Sequence, residues 1–234
     1  MSQTVLSKLS NKLSNDGTPP ERMTLLPDQT YVGPPIDDPT LLARLPKALA
    51  MSLEETNGFV AFGGGLHVRG ICAAPAWHSL ARFWSGDDAL LRIYTSVQPD
   101  DVPFGEDALG DQFFLRGADC WRLLAEVDDV EALGCGFDEF ISRALADPVE
   151  FLGLEPLIRF WREGGTLKPG ELINAYPPFS TVEAANGVRL AAVPAHEQHY
   201  FLAQLVRNFA ENPMHRNSEL VSSNSAARLQ SGGG

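Results

Sequence analysis

The chain has 234 residues, 44% of them hydrophobic, and its 30 acidic side chains against 18 basic ones give a formal net charge of −12. This is an ordinary globular composition, long enough to bury roughly 70% of the unfolded surface without disulfide or metal staples. The charge argues against nucleic-acid binding, which relies on Lys and Arg neutralising phosphate, and it suits a cationic partner, whose encounter a complementary field accelerates.

Residues 1–36 are rich in Ser, Asn, Pro and Thr, which predicts a flexible leader with one short helix at Val5–Leu13. Met1–Asp16 has no apolar core of the kind a signal peptide needs. No run of eighteen apolar residues occurs, so no membrane span is expected. Cys72, Cys120 and Cys135 form no C-x-x-C pair; they read as buried thiols in a reducing compartment, and the expected location is the cytoplasm.

From Asp38 to Thr56, Leu42, Leu45, Leu49 and Leu53 recur at helical spacing, with Pro46 restarting the helix and Asn57-Gly58 ending it. Phe59–Phe62 and Leu66–Ile71 read as strands around Gly63-Gly64-Gly65, and Ala73–Trp84 as a helix. Leu91–Thr95 reads as a strand. Val102–Phe104, Gln112–Leu115, Cys120–Leu124 and Val130–Leu133 follow as short strands, with turns at Arg116-Gly117 and Asp128-Asp129. An antiparallel meander is the simplest arrangement of these runs.

Gly136–Ala146 returns to helix with Phe137, Phe140, Ile141 and Ala144 on one stripe. Pro156–Glu163 gives a second short helix. Ala175–Ala191 is irregular, with a hairpin near Asn186-Gly187. Ala195–Asn212 is the last helix, carrying Phe201, Leu202, Leu205, Val206 and Phe209 inward and ending at Pro213. Residues 214–234 read as a disordered, linker-like tail. The expected fold is α+β: an antiparallel meander flanked by helices, with a helical C-terminal extension.

No motif for catalysis stands out. His196 and His199 are three apart, one short of the H-E-x-x-H spacing that aims two imidazoles at one zinc, so a solvated helix start is the plainer reading. The Gly63 triplet is followed neither by Gly-Lys-Ser/Thr nor by a further fingerprint glycine; it reads as a tight backbone connection. His67 and His78 have no nucleophile elbow beside them, and Trp77, Trp84, Trp121 and Trp161 read as core. No D-x-D-x-D-G loop is present.

The acids cluster. Twelve lie between Gln98 and Glu139 against only Arg116 and Arg122, leaving −10 of the total in the meander and the helix start after it. Turn formation accounts for some of them, but not for the missing lysines.

The order of these segments resembles the SUKH superfamily, which holds fungal cell-wall-synthesis regulators and bacterial immunity proteins. The resemblance rests on Leu45-Pro46-Lys47 through Asn57-Gly58-Phe59, on Gly64-Gly65-Leu66-His67-Val68, and on Val102–Phe113 (VPFGEDALGDQF). It continues through Trp121-Arg122-Leu123 with Glu126, and then Phe137–Ile141. It covers about Leu41–Gly153, with 154–213 as an extension packed on a 37–153 core. The resemblance implies an α+β fold without enzyme activity or cofactor, and binding that neutralises a cognate toxin, often a nuclease.

The expectation is therefore a non-enzymatic protein-binding module for a cationic toxin, touching neither nucleic acid nor membrane. Glu106, Asp107 and Asp111 are the central contacts, ringed by Asp100, Asp101, Asp128, Asp129 and Glu131. The alternative for Glu106 and Asp111 is a structural role. A general scaffold or adaptor, and a metal-dependent enzyme, stand as competing functions.

Overall fold

The computed structural model describes residues 29–211. The Val5–Leu13 helix and the 214–234 tail lie outside them. Nine strands and seven α-helices are described. A seven-stranded antiparallel sheet holds its strands in strict chain order: β1 (Tyr31–Val32), β2 (Phe59–Ala61), β3 (Leu66–Val68), β4 (Val102–Asp107), β5 (Gln112–Arg116), β6 (Asp119–Leu124) and β7 (Asp129–Ala132). The meander read from the sequence is thus the centre of the molecule, and Tyr31 and Val32, inside the stretch assigned to the leader, supply an edge strand against β2.

Successive side chains of a strand point to opposite faces, and Phe113 and Phe114 of β5 show the consequence: both are fully buried, in separate apolar clusters. Phe113 belongs to the larger one, with Leu49 and Leu53 of α2 (Lys47–Glu55) and Phe137, Phe140, Ile141 and Ala144 of α4 (Phe137–Ala146). The short α1 (Pro39–Leu42) adds Leu41, its N-terminus capped by the Asp38 carboxylate. Phe114 belongs to the smaller cluster, with Phe83 of α3 (Leu80–Trp84), Leu90, Tyr94 and Leu202.

Two short helices follow α4: α5 (Pro148–Leu152), which the sequence reading did not anticipate, and α6 (Glu155–Arg162). The glycine triplet is closed over by α6 and the segment after it. A Cβ at Gly63 would lie 2.4 Å from the Trp161 ring and one at Gly64 2.8 Å from Leu167, so these residues are small because the chain's own side chains fill the space.

Three expectations are corrected. Leu91–Thr95 is not a strand: Leu90–Arg92 forms a 3₁₀ turn, placing Leu90 and Tyr94 on one buried side. Ala73–Trp84 is not one helix, because Ala76–His78 is 3₁₀ and the α-helix begins only at Leu80. Ala175–Ala191 is bounded by strands: β8 (Glu171–Tyr176) pairs along its length with β9 (Arg189–Pro194) as a separate two-stranded sheet. The C-terminal helix α7 (Ala195–Glu211) continues directly from β9 and packs on this ribbon. Among the described residues no helix is long and apolar enough to cross a membrane.

Candidate functional site

The register of the meander builds a polar cluster around Glu106. His67 of β3 lies directly opposite Glu106 of β4, and Glu106 opposite Gln112 of β5. Directly opposed residues of one sheet face lie close enough to bond. Glu106 Oε1 lies 2.9 Å from His67 Nδ1. Its Oε2 accepts from Arg69 Nη2 at 2.9 Å, from Gln112 Nε2 at 3.0 Å and from His199 Nε2 of α7 at 2.7 Å.

Glu106 is 1% exposed and Arg69 fully buried, the guanidinium stacked 3.9 Å from the centre of the Phe83 ring. Arg69 also donates to Gln112 Oε1 and to the carbonyls of Pro103 and Gly105. Burial works against the charge on Glu106, but Arg69 and the donated hydrogen bonds hold its carboxyl well below the usual range.

The cluster continues inward. His67 Nε2 lies 2.9 Å from His78 Nδ1, and His78 Nε2 lies 2.9 Å from the Asn57 carbonyl oxygen. His78 is fully buried; burial and the neighbouring His67 push its imidazole down to about 3.

Asp107 turns to the other sheet face. One oxygen accepts the backbone N–H groups of Leu109, Gly110 and Asp111. The other lies 2.5 Å from Arg122 Nη2, which also reaches Asp111 Oδ2 at 2.9 Å. Gly110 sits at φ +96° in this turn, where a side chain would strain the backbone. Burial and the Asp111 charge push the Asp107 carboxyl up to about 7, against the pull of Arg122 and the N–H groups.

The remaining acids divide. Asp101 is buried and grips Arg116 through both oxygens, at 2.9 and 2.7 Å. Asp128 accepts from the backbone N–H and hydroxyl groups of Thr95 and Ser96. Asp100 and Asp129 are exposed and Glu131 is half-buried. The expectation that these acids lie on exposed turns and strand ends is therefore corrected at its centre. Glu106, Asp107 and Asp101 are buried and committed internally, and Asp111 is half-buried against Arg122. Counting charges along a sequence finds acids; it does not show which arginine arrives beside them.

The site the sequence reading missed is a groove of about 820 Å³ between α7 and the 82–94 segment. Arg82, Phe83, Asp87, Asp88, Leu90, Arg92, Ile93 and Tyr94 form one wall, and His196, Glu197, His199, Tyr200, Ala203, Gln204 and Arg207 the other, with Gln112 beneath. Arg82 and Asp88 are ion-paired within the first wall. Tyr200 is 68% exposed. His196 is exposed, as expected of a helix start, whereas His199 is half-buried and links the groove to Glu106.

An ionised carboxylate only accepts, so His199 Nε2 carries the proton that faces Glu106, and in the neutral ring Nδ1 is left as an acceptor. Size and mixed aromatic and polar lining fit a recognition groove. Among the described residues no group of three or more His, Cys, Asp or Glu side chains is arranged to hold a metal ion.

Comparison with family models, with curated proteins and with solved structures returned no match to this chain.

Proposed function

We propose that the chain is a non-enzymatic protein-binding module of immunity type, that its partner is a cationic protein such as a toxin, and that the contact surface is the α7 groove. The observation that carries this reading is the groove itself: a concave surface that gathers Phe83, Ile93, Tyr94, Tyr200, Arg92 and Arg207. Tyr and Arg in a concave, partly apolar setting are the residue types that dominate binding energy at protein interfaces. Arg92 and Arg207 have no ion-pair partner among the described residues, and Tyr200 holds its ring in solvent.

The acidity then acts at longer range. Asp87 and Glu197 on the groove walls, with Asp100 and Asp129 on the meander, are exposed and supply the field that draws a cationic protein in. The resemblance to immunity proteins supports the same partner class.

The test is affinity capture from native lysate with the parent chain and with a Tyr200→Ala, Arg207→Ala double variant as paired baits, followed by titration of the captured protein's own activity. A basic partner retained by the parent, lost by the double variant and silenced at one equivalent supports the reading. Several partners of unrelated charge, bound equally by both baits, support a scaffold instead.

A further inference from the structure

We infer that His67 is an imidazolium at neutral pH, so that the buried Glu106–His67–His78 chain holds one proton more than an ionised glutamate and two neutral histidines would supply. The donors along the chain fall one short. Three contacts run in series: Glu106 Oε1 to His67 Nδ1, His67 Nε2 to His78 Nδ1, and His78 Nε2 to the Asn57 carbonyl, each at 2.9 Å. Both ends are acceptors, since the carbonyl never donates and an ionised carboxylate cannot. The four ring nitrogens between them must therefore bring three N–H bonds, and two neutral imidazoles have only two. Without a third, one contact sets lone pair against lone pair at 2.9 Å inside the protein, where an unmade hydrogen bond is costly.

The extra proton has three possible seats. Glu106 is the wrong one, because its other oxygen already accepts from Arg69, Gln112 and His199, an arrangement that favours the ionised form. His78 is also wrong: it sits one residue further from the carboxylate, and with His67 charged it completes the chain as a neutral ring donating from Nε2 to Asn57. His67 touches the carboxylate directly and faces the Trp77 ring, 5.1 Å between centroids, a setting that suits a cation.

Other charged and aromatic groups surround the ring. Arg69, fully buried, opposes a second positive charge. Lys168 and Glu171 face His67 across a small cavity of about 10 Å³ and offset one another. Tyr31 of β1 packs edge-on to His78, and His199 of α7 stands behind Glu106. Burial, with the Arg69 and His199 charges, pushes the His67 imidazole down on balance, against the pull of Glu106; the donor count opposes that balance, because the neutral ring leaves one of the three 2.9 Å contacts without a hydrogen.

The test is nitrogen-15 spectroscopy of the full chain, labelled in histidine, at pH 7. His67→Gln, His78→Gln and His199→Gln variants assign the ring signals. The expected result is one ring with both nitrogens protonated, lost in His67→Gln and retained in His199→Gln, coupled through a hydrogen bond to a second ring protonated at one nitrogen only. If His67 in the folded parent shows a single protonated nitrogen at pH 7, the inference is overturned. The parent spectrum decides this even where a variant fails to fold.

Discussion

His199 of the last helix and Glu106 of the central sheet, 93 positions apart in the chain, meet with Nε2 2.7 Å from Oε2. The bond ties α7 to the same carboxylate that receives Arg69, His67 and Gln112. One residue thereby holds three strands and the C-terminal helix in register. The wall of the groove is fastened to the sheet through a buried charge.

Glu106→Ala should therefore act on folding before it acts on binding. Removing one member of a buried pair leaves Arg69 uncompensated, a loss of about 3–5 kcal/mol. The expected outcome is a melting temperature lower by roughly 10 °C in a domain of this size, seen equally in the absence of any partner. A variant that melts like the parent would return Glu106 to the list of contact residues.

Asp107 and His78 should pull in opposite directions as pH falls. His78 is pushed down to about 3 in the fold, so it favours the folded state fully above pH 6.5 and loses about 1.4 kcal/mol per pH unit below that. Asp107 is pushed up to about 7. The folded state holds its proton where the unfolded chain has released it, so its contribution is full below about pH 4 and is lost as pH rises toward 7. Between pH 6.5 and 5.5 the two slopes largely offset each other, and a His67 already charged in the fold adds only the small fraction by which the unfolded imidazole is still neutral there. The parent should melt at nearly constant temperature there, while Asp107→Asn should lose about 3 °C per unit on acidification. Thermal melts at half-unit intervals check this, and parallel curves for the two proteins would contradict it.

Tyr200→Ala separates binding from folding in the other sense. The ring is 68% exposed, so its loss should change stability by less than about 0.5 kcal/mol. If the groove receives the partner, the same change should cost about 2 kcal/mol of binding, close to thirty-fold in Kd, measured by calorimetry on the captured protein.

Neutralising Asp100 and Asp129 together should leave melting unchanged and slow association. Exposed charges act through the long-range field, so the loss should appear in the association rate and flatten its dependence on salt. Stopped-flow mixing at two ionic strengths distinguishes this from a change in dissociation.

Much of the fold was legible in the sequence because its elements are locally encoded. The stripe of Phe137, Phe140, Ile141 and Ala144 has only one helical reading, and all four are buried. The β5–β6 hairpin was marked by Arg116-Gly117, where Gly117 takes φ +65°. Leu91–Thr95 misled because a short apolar run fits either period; burial of Leu90 and Tyr94 on one side decided for the turn. The β8–β9 ribbon was missed because the connection between its strands is long and contains Pro177 and Pro178.

The site was less legible, for a different reason. Arg69 stands 37 positions from Glu106, and its arrival there depends on the register of β3 against β4. The available signal was the alternation of His67 and Arg69, which places two basic side chains on the sheet face that Glu106 and Gln112 also occupy.

Among the described residues the seven-stranded sheet ends at β1 and β7, and unpaired strand edges invite other chains to add to them. On one flank the two-residue strand Tyr31–Val32 shields β2. On the other, β7 carries the exposed Asp129, whose charge resists the approach of a like strand. Acid placed at a sheet edge disfavours the addition of a like strand, so the same charge that lengthens the reach of the molecule toward a partner also bears on how its copies meet.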